Sequence, residues 1–417
     1  MGDHTRNEMA ARPFSLPEDL TISILTKLPP KSLIRLTALN KTWFSFIRSP
    51  EFVSSYRSIA VTEQLLCRLS NDGSRFALIA DRPDGDENLT VDIGSIINPD
   101  NRLPIRFLDN FHPLVHDDFE IIGSFNGLVC LCFSRWGTVN SLYDARPWTI
   151  FLWNPSIRRH LLLPPPWILP KMCGRLGFGG SEDGDHKVVR ILWVDLNSAG
   201  EEVVGEVRPF LRDSGGDHVV TVEIYSLNSG EWRILQFDLS PKRTFMTGQA
   251  FLQGRMHWIS FKDDNPGRST CAITSFSIDE ERFEDFPFPT SDVDFGQVWI
   301  SVVGEKIGFL DVHFPYFCCV WVMQEYGNAD SWAKLYNMEF EMYESRYLPL
   351  ADAFKVWKDV EVFTPTNHGL ENFKSQGSFT AAGKHKGDTL FFVTKHLESL
   401  ALLEKQNAVS DMHLLWA

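Results

Sequence analysis

SLPEDLTISILTKLPPKSLIRLTALNKTWFSFIRSPEFVSSY, residues 15–56, is the one stretch in which a helical period coincides with a high density of large apolar side chains. Ser15 with Glu18 three residues on reads as a capping box, and Pro17 suits a first helical turn, where its missing N–H removes no intrahelical bond. Leu16, Leu20, Ile24 and Leu28 recur every four residues, with Leu25 beside Ile24, so one face of a short helix is expected to be apolar. Glu18, Asp19 and Thr21 fall on the other face, and Pro29-Pro30 ends the helix. A second helix begins near Lys31 and stacks Leu33, Leu36 and Leu39; a third carries Trp43, Phe44, Phe46 and Ile47 before Pro50. A segment of about 40 residues is at the lower limit for an independent core. The surplus apolar surface needs a partner.

The stretch resembles the F-box. The family's order of Leu-Pro, apolar helix, Leu-Pro, Ser-Leu, Lys-x-Trp and closing Ser-Pro is met by Leu16-Pro17, Leu28-Pro29, Ser32-Leu33, Lys41-Thr42-Trp43 and Ser49-Pro50. Asn40 stands where plant members usually carry Cys. The resemblance implies docking onto the Skp-family adaptor of a cullin-RING ubiquitin ligase. The adaptor-binding residues expected on that basis are Leu16, Pro17, Leu20, Ile24, Leu28, Pro29, Leu33, Leu36 and Trp43.

Length and composition fit a small module plus a larger globular part: 417 residues, 43% hydrophobic, 23% charged and 13% aromatic. The most apolar run, Ile307 to Met323, is broken by Asp311, His313 and Pro315, so no membrane span is expected. The first fourteen residues are polar and read as a disordered N-terminus without a secretory signal. Seven cysteines, including Cys130-x-Cys132 and Cys318-Cys319, sit in strand-like apolar runs rather than at metal spacing. They read as reduced core thiols of a protein of the cytoplasm, the nucleus or both. Residues 12–56 hold six basic side chains (Arg12, Lys27, Lys31, Arg35, Lys41, Arg48) against three acidic ones (Glu18, Asp19, Glu51). In a chain of net charge −14 the remainder is therefore strongly acidic, which argues against nucleic acid as the main partner.

After Tyr56 the apolar period falls from about 3.6 to 2 and turn residues become frequent. Leu65–Leu69 and Phe76–Ala80 read as two strands around Asn71-Asp72-Gly73, followed by the polar linker DRPDGDEN. Asn126-Gly127 is a type I′ turn pair leading into LVCLCF. Gly-led turns before strands recur at Gly254, Gly304 and Gly387. A second unit, strand, polar turn and aromatic strand, recurs as FLWNPSIRRHLLLPPP, VEIYSLNSGEW, TSFSIDEERFEDFPFP and VWVMQEYGNADSWAKLY. Spacings of about 50 residues with several strands per unit point to propeller blades. The acidic stretch Ala199 to Asp217 reads as an inserted loop.

These units also resemble the F-box-associated region of a large plant family, carried by GSFNGLVCL, LWNPSIRRHLLLPP, Gly177-Phe178-Gly179 with HKVVRI, VEIYSLNSGEW and SWAKLY. The expected architecture is α+β and multi-domain: a small N-terminal three-helix F-box, then a mainly antiparallel β domain, a β-propeller. The expected limits are 15–57 for the F-box, 58–118 for connecting strands and polar linker, 119–400 for the F-box-associated domain and 401–417 for a C-terminal tail. Residues 337–380 depart from the family pattern, and ESRYLPLADAFKVWKDV is compatible with a helix.

Catalytic motifs are sparse. GRLGFGGSEDGD lacks the Lys-Ser/Thr of a phosphate loop and precedes a strand. His112 and His116 with Asp117-Asp118 lack further ligands at metal spacing, and the acidic pairs Glu201-Glu202, Asp263-Asp264 and Glu280-Glu281 sit in turn-like contexts. No metal, cofactor or catalytic residue is assigned. The function implied is a non-catalytic substrate receptor: the helices bind the adaptor, and through it a cullin, while the β domain binds a target protein. The alternative is a propeller enzyme or glycan-binding module localised by its F-box. Target binding is expected on loops 135–148 and 164–175, at Arg135, Trp136, Trp148 and Trp167, because Trp and Arg bury large areas for few rotors.

Overall fold

The computed structural model describes residues 17–59, 63–68, 75–80, 89–92, 118–134, 149–168, 174–195, 218–235, 243–245, 248–265, 268–289, 298–313, 317–339, 355–357, 361–366, 369–372, 378–379, 392–405 and 409–410. Four helices open the described chain: α1 (Glu18–Leu25), α2 (Pro30–Thr37), α3 (Lys41–Ile47) and α4 (Pro50–Ile59). The three-helix expectation is therefore corrected. Pro50, taken as a stop, occupies the first position of α4, where a proline ring is already set for the helix, and Ser49 Oγ accepts from the Phe52 amide at 3.2 Å. Ser15 lies outside the described residues. Pro17 is the N-cap of α1, without a side-chain capping bond, and Thr21 Oγ1 donates to the Pro17 carbonyl at 3.0 Å. Asn40 caps α3 by accepting from the Trp43 amide at 2.9 Å, a role a cysteine fills poorly.

The strands follow in short antiparallel runs. β1 (Glu63–Arg68), β2 (Arg75–Ala80) and β3 (Leu89–Asp92) come first, then β4 (Asp118–Phe125), β5 (Leu128–Ser134), β6 (Thr149–Asn154) and β7 (Arg159–Leu162). β8 (Gly174–Gly180), β9 (His186–Asp195), β10 (His218–Ser226) and β11 (Glu231–Leu235) form the next group. It is followed by β12 (Arg243–Phe245), β13 (Ala250–Leu252), β14 (Arg255–Asn265), β15 (Arg268–Ser277) and β16 (Arg282–Pro287). The last groups are β17 (Val298–Val303), β18 (Lys306–His313), β19 (Phe317–Met323) and β20 (Trp332–Glu339), then β21 (Lys355–Trp357), β22 (Glu361–Thr366), β23 (Gly369–Asn372) and β24 (Ser378–Phe379). β25 (Phe392–Leu397) and β26 (Val409–Ser410) end the series.

Among the described residues these strands make six antiparallel sheets. β25 pairs with β1, so the chain's end supplies a strand to the sheet its beginning starts, with Leu66 opposite Thr394. Contacts run from β25 to β4, β4 to β8, β8 to β14, β14 to β17, β17 to β21 and β21 back to β25. The sheets thus follow one another around a closed ring, a β-propeller.

Local chemistry explains the strand pairs. Asn126 and Gly127 have φ of 44° and 77°, as a type I′ turn requires. The four strand–turn–strand units of the sequence are β6–β7, β10–β11, β15–β16 and β19–β20. The Gly-rich run is β8: a Cβ on Gly177 would lie 2.5 Å from the Trp258 ring and one on Gly179 2.2 Å from Phe251, so its glycines admit the neighbouring sheet. The helix-compatible stretch near 344–360 contains strand β21, paired with β22, where Val356 and Trp357 suit a pleated surface better than a helix. Gly387, the segment Ala199 to Asp217, Glu201-Glu202, His112, His116 and Asp117 lie outside the described residues.

Candidate functional site

The helical head is built around Leu25, Leu33, Ile47, Phe52, Val53 and Tyr56, with Ile22, Leu28, Ile34, Leu36, Trp43 and Phe46 packed partly buried against them. Tyr56 Oη donates to the Leu28 carbonyl at 3.0 Å and ties α4 to the end of α1. Burial raises its phenol pKa above the ordinary range, with Glu398 adding to the shift. The core is completed from outside by Ile157, at the β6–β7 turn, and by Leu400 and Leu403 beyond β25. The head is therefore not self-contained.

Within α1, Leu20 and Ile24 face away from this core. Leu20 is 49% exposed and Ile24 52%, while Thr21 and Leu25 are buried. Thr21, expected on the polar face, is inside because its hydroxyl is satisfied by the Pro17 carbonyl one turn back. Other large apolar side chains are also exposed on the head: Leu39 at 67%, Phe44 at 46%, and Ile59. The Arg48 guanidinium lies 4.7 Å from the Phe44 ring centroid, a cation–π contact that holds the ring at the surface. So many exposed large apolar side chains on four short helices are unfavourable in water and a usual sign of protein binding.

The expected adaptor-binding residues separate into groups. Leu20 and Ile24 are outside, as a docking row requires. Pro17 and Pro29 are exposed N-caps. Leu28, Leu36 and Trp43 are half-buried, Trp43 meeting Phe46 edge-on at 6.5 Å. Leu33 is fully buried and belongs to the core, so its expected place on the docking face is corrected: α2 turns it inward against Phe52 and Ile47. Leu16 lies outside the described residues. Leu39 and Phe44 were absent from the expected set, although their density in the helical stretch was visible.

Of the loop residues expected to meet a target, Arg135, Trp136 and Trp148 lie outside the described residues. Trp167 is 62% exposed, and its position is held from beneath. Trp167 Nε1 donates to the Trp232 carbonyl at 2.8 Å, Trp232 Nε1 donates to the Pro164 carbonyl at 2.8 Å, and the Ile168 amide donates to Glu223 Oε1 at 2.9 Å. Glu223 is ion-paired with Arg190 across β9 and β10, both fully buried. Burial pushes the carboxyl pKa up and the guanidinium pKa down, and each charge opposes the shift of the other. The exposed indole is thus presented on a fixed loop with its N–H already used.

Among the described residues no group of three or more possible ligands is arranged for a metal ion. The paired acids Glu280 and Glu281 are engaged with Arg255, Arg282 and Arg233 in surface ion pairs. No helix among the described residues is long and apolar enough to cross a membrane. Cys130 and Cys271 are free thiols. Burial pushes the Cys271 thiol up to about 12.

The chain matches the F-box domain over residues 14–55 and the F-box associated beta propeller domain over residues 142–366. It is similar to F-box protein CPR1 of Arabidopsis thaliana, 27% identical over 353 residues covering 78% of this chain and 73% of that protein. It is also similar to F-box protein At3g07870 of the same plant, 24% identical over 373 residues, covering 83% and 78%. A family 117 glycoside hydrolase, Zg3597 of Zobellia galactanivorans, shares 9% identity over 68% of this chain and 85% of that one, at a TM-score of 0.35 too low for any argument. The helical head, the closed ring of sheets and a propeller match spanning more than half of the sequence agree, and the chain belongs to the F-box-associated β-propeller family of plant F-box proteins.

Proposed function

We propose that this protein is the non-catalytic substrate-recognition subunit of an SCF-type ubiquitin ligase. Its helical head docks on the Skp-family adaptor, and through it a cullin, while the propeller binds a target protein for ubiquitination in the cytoplasm, the nucleus or both. The ubiquitin transfer itself takes place on other subunits. The observation that carries the reading is the outward row of Leu20 and Ile24, with Leu39 and Phe44 exposed on the same small head. Such side chains have little to gain in a monomer, whereas burial of one at the centre of an interface is worth about 2 to 4 kcal/mol.

Leu16, Pro17, Leu28, Pro29, Leu36 and Trp43 complete the proposed adaptor site, Leu28, Leu36 and Trp43 being half-buried against the head's core. On the propeller, Trp167 is the proposed anchor for the target together with Arg135, Trp136 and Trp148. Supporting this is the pinned loop of Trp167, which reduces the ordering cost of binding. The test is co-purification of the full chain with a Skp-family adaptor. Leu20→Asp is expected to lower affinity roughly 30- to 1,000-fold. Unchanged capture by this variant would overturn the adaptor reading.

A further inference from the structure

Residues 399–405, just beyond β25, carry apolar side chains to two different cores. Ala401 and Leu402 enter the core formed by the β4–β7 sheet and its neighbour, while Leu400 and Leu403 enter the core of the helical head beside Leu25, Leu33 and Phe52. Leu402 is fully buried with φ of +69°, a conformation that bulky residues adopt only when the surroundings impose it. That single turn sends successive leucines in opposite directions.

The backbone of the segment is gripped by the facing ends of β6 and β7. Asn154 Nδ2 donates to the Ser399 carbonyl at 3.1 Å and the Ala401 carbonyl at 2.8 Å. Arg159 donates to the Leu403 carbonyl at 2.7 Å and the Lys405 carbonyl at 3.0 Å. Lys405 Nζ reaches the Leu227 carbonyl at 2.9 Å, on the neighbouring sheet. Ser156 Oγ sits 3.0 Å from Nε2 of the buried His396. The β4–β5 turn is shaped to the same segment, since a Cβ on Gly127 would come within 2.0 Å of Ser399 Oγ. By contrast, the bond from Arg57 to the Gly184 carbonyl, 3.1 Å long, is exposed and worth little.

We infer that residues 399–405 are a strut that couples the helical head rigidly to the propeller. Buried on both sides and bonded along its backbone, the strut fixes the adaptor-docking face relative to the target-binding loops. The inference rests on the proposed function for its meaning, and on the packing for its existence. Loss of the strut leaves the docking row of α1 intact but frees the head to move relative to the propeller.

The test is hydrogen exchange read by mass spectrometry on the full chain co-expressed with a Skp-family adaptor, together with adaptor capture. Two variants are compared: Asn154→Ala with Arg159→Met, and a chain ended after Glu398, which keeps β25 for ring closure. Amides of α4 are expected to exchange about tenfold faster or more in both, and those of 399–405 likewise in the first. Strands β18 and β19, in a sheet whose core the segment does not enter, should remain at the native rate, and adaptor capture should persist. Native exchange in α4 after release of the segment would overturn the strut. Equal acceleration in β5 and β6 would also overturn it, by reducing the segment to part of one sheet's core. Failure of the native chain to capture the adaptor would sink the proposed function, while the exchange comparison would still decide the coupling.

Discussion

The helical head and the propeller handle apolar surface in opposite ways. In the propeller Leu152 of β6, Val189 and Ile191 of β9, and Val222 and Ile224 of β10 are all buried, and the buried Arg190 and Glu223 pair with each other. The head carries large apolar side chains on both sides of α1, one set in its core and one in solvent. A ring of sheets can close on itself and satisfy every face. Four helices of seven to ten residues cannot, so part of their apolar surface stays exposed, and part is covered by Ile157, Leu400 and Leu403.

That contrast breaks most sharply at the buried ion pair. Arg190→Met leaves Glu223 charged and unpaired inside the propeller, at an expected cost of about 3 to 5 kcal/mol. Thermal melting should register it, and the loop of Trp167 should lose protection, because Glu223 also accepts from the Ile168 amide. Leu33→Ala comes next. Removing a fully buried leucine from the head should cost about 2 to 5 kcal/mol, measured as lost protection of α2 and α4 by hydrogen exchange. If Leu33 instead affected only adaptor affinity, the division of the head into core and docking face would be wrong.

Acid should weaken the propeller through its buried histidines. Burial lowers His186 and His257 to about 4 and His396 to about 3 from an ordinary value of 6.5. Between about 4 and 6.5 the unfolded chain therefore binds more protons than the folded one, and stability falls as pH falls through that window. The slope is about 1.4 kcal/mol per pH unit for each histidine. Melting curves from pH 7 to pH 4.5 check this, and His257→Gln should flatten the dependence. Its Nε2 lies 2.7 Å from Tyr326 Oη, a contact that an amide can keep.

Surface changes should be small. Arg233→Ala removes an exposed pair with Glu281 and is expected to cost about 1 kcal/mol or less, and less still in high salt. Leu20→Ala sharpens the comparison from the other side. In the free chain its melting should shift by no more than about 0.5 kcal/mol, since the side chain makes little use of the head's core. A large loss would place Leu20 in the fold rather than at an interface.

Much of the architecture was legible in local pattern. Asn126-Gly127, the Gly-led turns at Gly254 and Gly304 and the four aromatic strand–turn–strand units each specify a hairpin through backbone dihedrals and alternation, which are properties of neighbouring residues. The F-box spine marked the head for the same reason. The direction of α1 was not legible, because a helix with apolar residues on both sides has no preferred inward face until its neighbours are placed. Leu33 could not be told from Leu20 on spacing alone.

The sequence by itself therefore determined where the first three helices and the aromatic hairpins form, and that the helical head carries more apolar surface than it can bury. Only the tertiary structure decided that β25 closes the ring on β1, that Leu20 and Ile24 face outward while Leu33 faces in, and that the presumed tail at 401–405 joins head to propeller. Those outcomes depend on partners some 240 to 330 residues apart, such as Asn154 with Ser399 and Leu66 with Thr394. Contacts at that separation form when loop closure is repaid by burial across the whole core, and they leave no period in the chain to read.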